Sequence, residues 1–124
     1  AWLDSGGQVN ATCGMGDVSG ITVLMCAAQF GHERVVELLL RNGAEVNLQE
    51  SIGGTALMIA AAGPHAQMIE LLLQHGAEVN LQDSNGFTAL MDAADKGHER
   101  VFEVLLRHGA EINVQDSKGL TALM

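Results

Sequence analysis

The feature that most constrains this chain is a repeat with a period of 33 residues. The stretch HGAEVNLQD at 75–83 returns, slightly altered, at 42–50 and at 108–116. The same period separates four threonines, Thr22, Thr55, Thr88 and Thr121, and a glycine stands two residues before each of them. Self-similarity at a fixed interval of about 20–50 residues is typical of stacked repeat arrays. The sequence therefore predicts a solenoid.

The repeat that begins at Asp83 shows how one unit is expected to fold. Asp83 and Gly86 form a turn signal, in which the glycine supplies a positive φ and the carboxylate binds backbone amides ahead of it. Thr88 then stands where a helix N-cap belongs. A short helix is predicted from Ala89 to about Lys96, and Gly97 ends it as a left-handed cap.

A second helix is predicted to open at His98. It carries a broad apolar face formed by Val101, Phe102, Val104, Leu105 and Leu106. This face is wider than one neighbour can bury, so each unit requires the next. Two pairs at i,i+4 spacing are expected on the solvated side of the second helix of their own repeats. They are Glu37 with Arg41, and Glu103 with Arg107. We predict an all-α repeat solenoid of stacked helix–turn–helix units with projecting β-turn or hairpin loops.

The period divides the chain into five segments. Residues 1–15 are interpreted as a partial repeat (the end of an outer helix plus a long link), 16–48, 49–81 and 82–114 as full repeats, and 115–124 as the start of a truncated repeat. Both ends fall inside a repeat, which favours a fragment of a longer array or of a larger intracellular protein. Arrays need polar caps. We therefore expect self-association through uncapped apolar ends, at Trp2, Leu3, Leu105, Leu106, Leu123 and Met124.

The charge and the composition exclude several classes of function. Fifteen acidic and six basic residues give a net charge of −9. Such a surface repels phosphate, so nucleic acid is excluded as a partner. No apolar run approaches the roughly 20 residues that a membrane-spanning helix needs, so membrane insertion is not expected. The expected localisation is cytoplasmic or nuclear.

The histidines do not form a metal site in this interpretation. His32, His65 and His98 occupy one repeat position, so they should form a ladder at the roughly 8–10 Å spacing of packed helices, whereas zinc needs ligands about 2 Å from one centre. The sequence also lacks a glycine-rich phosphate loop and the common hydrolase motifs. We predict no catalytic residue, no cofactor and no metal site.

These residues resemble the ankyrin repeat, whose pattern runs D-x-x-G-x-T-P-L-H-x-A-A-x-x-G-H, then V-V-x-x-L-L, then G-A-D-V-N. The resemblance covers about residues 16 to 124. It implies an L-shaped stack that binds partner proteins through its turn tips and inner helices and does not catalyse. Two departures stand out. Methionine replaces the histidine of the pattern, and Gly63-Pro64 occupies the turn between the two helices of one repeat. Because proline cannot take a positive φ, the preceding helix should end about one residue early.

Positions that differ between repeats are the candidates for partner recognition, since constant positions belong to the scaffold. They comprise turn tips, residues that follow the turn glycine, and inner-helix positions: Ile21, Cys26, Phe30, Ile52, Ile59, Asn85, Phe87, Asp92, Asp95, Lys96, Lys118 and Leu120. Several are apolar and expected to be exposed, which favours a protein partner. The alternative for Ile21, Phe87 and Leu120 is local packing between turns.

Three functions remain open at this point. The first is a protein–protein interaction module within a larger protein. The second is a purely architectural spacer in a longer array whose partner binds elsewhere. The third is an artificial binding scaffold, against which the irregular Gly63-Pro64 turn and the long link from Asn10 to Asp17 argue.

Overall fold

The computed structural model describes the backbone of residues 12–15 and 18–122. The expected outer-helix tail at 2–10, and the apolar residues Leu123 and Met124, lie outside these described residues. Two strands and six helices follow in chain order: β1 (Thr12–Met15), β2 (Val18–Thr22), α1 (Val23–Gln29), α2 (Glu33–Arg41), α3 (Ala56–Ala61), α4 (Ala66–Gln74), α5 (Ala89–Lys96) and α6 (Glu99–Arg107).

The helices form two layers. The inner layer is α1, α3 and α5, each packed on the next, and the outer layer is α2, α4 and α6 in the same order. Each inner helix also packs on the outer helix of its own unit. The predicted all-α repeat fold is confirmed, and α5 has the bounds expected for it.

The core lies between the layers and is built from small and aliphatic side chains. Alanines on the inner helices, among them Ala28, Ala60 and Ala93, are fully buried. They allow the inner helices to approach one another closely. Large buried side chains fill the remaining space, mainly Met25, Leu57, Met68, Ile69, Leu72, Leu90 and Leu105. This arrangement explains how the fold manages with few aromatic residues.

The link expected to precede the first full repeat contains a strand. β1 pairs with β2 in an antiparallel hairpin in which Thr12 lies opposite Thr22 and Cys13 lies opposite Ile21. The register is irregular between Cys13 and Met15, as in a β-bulge. The first turn is therefore a two-stranded hairpin, a more ordered form of the projecting loop that the sequence predicts.

Threonine N-caps begin all three inner helices. The side-chain oxygens of Thr22, Thr55 and Thr88 accept hydrogen bonds from the backbone amides three residues ahead, at 3.1, 3.2 and 3.3 Å. Those amides belong to the methionines that replace the histidine of the repeat pattern. In α1 the sulfur of Met25 also accepts from the Thr22 amide at 3.4 Å. At this position, methionine thus keeps a polar contact as well as an apolar one.

Thr88→Val is expected to lower the free energy of unfolding by about 1 kcal/mol, because it removes an N-cap acceptor and preserves the side-chain shape. Thr88 is buried, so water cannot replace the lost hydrogen bond to the Met91 amide. Urea unfolding followed by circular dichroism measures the change. Thr88→Ser, which keeps the hydroxyl, is the control and should lose less of the cap energy. A Thr88→Val variant that is as stable as wild type, with the loss confined to Thr88→Ser, would show that the methyl group matters and the cap does not.

The turn at Gly63-Pro64 follows the prediction made from its proline. The left-handed glycine that ends α5 is Gly97, with φ 72°, and Gly31 has the same conformation with φ 73°. Pro64 occupies the equivalent position, and α3 ends at Ala61, one residue before the equivalent end of α1. Its C-cap, Ala62, keeps a right-handed φ of −75°. The early end of this helix is confirmed.

The predicted ion pairs on the outer layer are partly confirmed. Arg41 Nη2 lies 2.9 Å from Glu37 Oε1, as the i,i+4 spacing predicts. The prediction that Arg107 pairs with Glu103 is wrong, because Arg107 Nη2 lies 3.8 Å from Glu70 Oε1 of the preceding unit. In both pairs the arginine side chain is 67% exposed and the glutamate side chain 39% exposed, so water reaches both charges. Such pairs contribute little to stability.

Candidate protein-binding face

The turns are built by carboxylates that bind backbone amides ahead of them, as predicted for Asp83. Its Oδ1 accepts from the amides of Asn85 and Phe87 at 2.8 and 3.0 Å. Asp116 binds the amides of Lys118 and Leu120 at 2.8 and 2.9 Å in the same way. Glu50 replaces the aspartate in the preceding turn and binds the equivalent amides of Ile52 and Gly54 with its longer side chain. The recognition candidates that lie on these turns, Ile52, Asn85, Phe87, Lys118 and Leu120, are therefore held in place by carboxylates.

Backbone hydrogen bonds join successive turns into one row. Ser51 N donates to Ser19 O at 2.8 Å, Ser84 N donates to Ile52 O at 2.9 Å, and Ser117 N donates to Asn85 O at 2.8 Å. Because the bonds repeat at every step, the tips Ile52, Asn85 and Lys118 are held in line. We call these three residues the turn row.

The inner helices carry a second row. Cys26, Ile59 and Asp92 occupy equivalent positions on α1, α3 and α5, and each is half-buried. Asp95 and Lys96 are exposed near the end of α5, where Lys96 Nζ lies 3.9 Å from Asp95 Oδ2. We call Cys26, Ile59 and Asp92 the inner row.

The apolar candidates differ in exposure. Phe30, at the C-cap of α1, is 66% exposed, and the turn residues Ile52 and Leu120 are 47% and 49% exposed. The expected exposure is confirmed for these three. Ile21 is half-buried and packs against the core. Phe87 is also half-buried.

An open cavity of about 350 Å³ lies between α5 and the last described turn, at 116–122. Its apolar lining includes Phe87, Met91 and Leu120, and its carboxylates are Asp95 and Asp116. It brings together three of the candidates, Phe87 and Asp95 of one repeat and Leu120 of the next. The cavity therefore combines an apolar wall with negative charge.

Asp92 has an unusual protonation equilibrium. The pKa of its carboxyl is raised from 3.8 to about 7, mainly because burial disfavours the charged form, and further because the charges of Asp83 and Asp95 repel it. Lys96 acts in the opposite direction. A carboxyl with this pKa is partly protonated near neutral pH. The negative charge of the inner row therefore lies on Asp92 of α5, where burial and neighbouring carboxylates disfavour the ionised form.

The side chains that join one unit to the next were not identified from the sequence, although their period was visible. Asn47 Nδ2 donates to Gly76 O at 3.0 Å, and Asn47 Oδ1 accepts from the Glu78 amide at 2.8 Å. Asn80 makes the equivalent bonds one repeat later. Gln49 Nε2 donates within its own turn and to Gln82 O of the next. These residues position the face and do not belong to it.

The histidines have structural contacts. His98 Nε2 lies 3.2 Å from Ala62 O, which places this ring across the boundary between two units. Among the residues that the structure describes, no three His, Cys, Asp or Glu side chains are grouped so that they could hold a metal ion. Within the same part of the chain, no helix is both long enough and apolar enough to cross a membrane.

Comparison with known families matches the stacked units described above. The model for ankyrin repeats matches residues 24–116 with three copies, which is more than half of the 124 residues. A comparison with curated proteins finds no match. Ankyrin repeats are generally protein–protein interaction modules and are typically not catalytic. The chain belongs to the ankyrin repeat family.

Proposed function

We propose that this chain is a protein-binding module whose partner contacts the turn row, the inner row and Phe30. The observation that carries the proposal is the 66% exposure of Phe30. A large aromatic side chain in water contributes nothing to folding through burial, and aromatic side chains are enriched at the centres of protein interfaces.

The distribution of constant and variable positions supports the same face. Three of the four recurring threonines, Thr22, Thr55 and Thr88, are buried and hold the N-caps. The variable positions Phe30, Ile52 and Leu120 are exposed. The carboxylates of Glu50 and Asp116 accept from the amides of Ile52 and Leu120, and Ile52 O accepts from Ser84 N of the next turn. A partner would therefore bind turns that are already ordered. Pre-organisation of this kind lowers the entropic cost of association.

A second apolar patch offers a competing site and therefore an internal control. Val35 and Leu38, both on α2 of the outer layer, are 43% and 49% exposed. They lie one helical turn apart, so they share a face of that helix. Loss of binding on truncation of Leu38 would identify the outer layer as the docking surface.

The test is affinity capture by the immobilised chain, quantified by mass spectrometry, in parallel for wild type, Phe30→Ala and Leu38→Ala. Both variants truncate an exposed side chain, so both should remain folded. We expect Phe30→Ala to reduce capture of the specific partners by about tenfold or more, as for an interface hot spot, and Leu38→Ala to leave it nearly unchanged. The reverse result would reject this face. Capture unaffected by either change would favour the architectural spacer.

A further inference from the structure

Polarity changes along the inner layer. The inner row is Cys26 on α1, Ile59 on α3 and Asp92 on α5. The positions three residues further on are Gln29, Ala62 and Asp95. The face is therefore uncharged over the first two helices and acidic on the third. Since packed helices are spaced by roughly 8–10 Å, the acidic end lies within reach of a segment that also contacts the apolar part.

The cavity beside Phe87 lies at this acidic end. Phe87, Met91 and Leu120 supply its apolar wall, and Asp95 and Asp116 supply carboxylates. Lysine and arginine side chains have the matching form, because an apolar stem ends in a charged head. An aromatic ring in the wall also attracts a cation.

The charges around the cavity favour a cationic occupant. Asp83, Asp92 and Asp95 are close enough to interact, and their repulsion contributes to the raised pKa of Asp92. The positive charge of Lys96 acts on Asp92, but its ammonium already lies 3.9 Å from Asp95 Oδ2. A second cation would reduce the repulsion among the carboxylates. The net charge of the whole chain, −9, attracts basic partners over longer distances.

We propose that the partner protein docks through a basic segment, and that one of its arginine or lysine side chains occupies the cavity lined by Phe87, Leu120 and Asp95. This inference rests on the proposed function and specifies its partner class. The stem of the basic side chain contacts Phe87 and Leu120, and its head pairs with Asp95 next to Asp92. Apolar residues of the same segment contact Ile59 and Phe30 along the inner layer.

The test uses a random-peptide phage library selected on the immobilised wild-type chain. The recovered peptides are synthesised, and their Kd values are measured by fluorescence anisotropy. We expect arginine or lysine at one common position. Replacing that residue by norleucine, which keeps an apolar stem and removes the charge, should weaken binding by about tenfold. Binding should also weaken between ~50 and ~500 mM NaCl, because salt screens the contact.

Matched protein variants separate this inference from the proposed function. The comparison is made at pH ~8, above the raised pKa of Asp92, where its carboxyl is mostly ionised. Asp92→Asn/Asp95→Asn then removes two acidic groups beside the cavity and Glu99→Gln/Glu103→Gln removes two from the outer helix α6, so both change the net charge by nearly the same amount. We expect about a tenfold loss for the first and less than about a twofold loss for the second.

Each alternative outcome has one meaning. In one outcome the recovered peptides share no basic residue, bind Asp92→Asn/Asp95→Asn normally and lose binding to Phe30→Ala. This result would overturn the basic-segment inference and leave the proposed function standing. Equal weakening in the two double variants would also overturn it, since long-range attraction alone would then explain the charge effect. Binding lost only through Leu38→Ala, or no enriched peptide, would count against the proposed function itself.

Discussion

Gly86→Ala is expected to destabilise the fold by about 2–5 kcal/mol. The left-handed backbone costs an alanine about 1–2 kcal/mol, and the steric overlap of its Cβ costs about 1–3 kcal/mol. Gly86 has φ 79°, so any side chain there is strained. A Cβ at this position would also lie 2.9 Å from both Asp116 Cα and Ser117 N. Those atoms belong to the backbone of the next turn. That turn is held by the hydrogen bond that Ser117 N donates to Asn85 O at 2.8 Å. Relieving the contact requires separation of two turns.

Gly97→Ala is the matched control for this change. Gly97 also has a positive φ, 72°, but a Cβ there would meet no atom within 4 Å. We therefore expect it to cost only the conformational part, about 1–2 kcal/mol. Urea unfolding of the two variants measures the difference. Equal destabilisation would show that the turns separate at little cost and that the turn row is not a rigid platform.

Asp92→Asn is expected to stabilise the fold above pH 7 by an amount on the order of a few kcal/mol. The pKa of Asp92 is raised to about 7 in the folded chain, so between its ordinary value of 3.8 and about 7 the folded state binds more protons than the unfolded state. The stability contributed by protonation is thus fully present below 3.8 and is lost as pH rises through 7. Asparagine is neutral at every pH and avoids the loss.

The measurement is the urea midpoint of wild type and Asp92→Asn between pH 4 and pH 8. The two curves should nearly coincide at the acidic end and separate as pH rises, reaching a constant difference above pH 7. Asp95→Asn is the control, because it removes the same charge from an exposed position. It should have a smaller effect, since burial is the main cause of the raised pKa. A wild-type chain that is as stable as Asp92→Asn at pH 8 would contradict the assignment.

The exposure of the candidate residues could be predicted for some of them and not for all. Comparing repeats was enough to select Phe30, Ile52 and Leu120, because a position that varies between repeats is not required by the scaffold. The same comparison selected Ile21, which packs on the core. Burial of a side chain depends on the neighbouring unit and on the path of the turn. Neither can be deduced from the residue type at one position.

The sequence by itself determined the repeat, the bounds of α5, the threonine N-caps and the early end of α3 before Pro64. The repeat is visible in the order of the residues. The helix ends and the N-caps depend on backbone dihedral preferences or on hydrogen bonds between residues at most four apart, so the local chain decides them. Only the tertiary structure decided that Asn47 and Asn80 join successive units, that Arg107 pairs with Glu70, and that Asp92 titrates near neutral pH. Those properties depend on atoms about one repeat apart or on burial, and both are set only when the units stack.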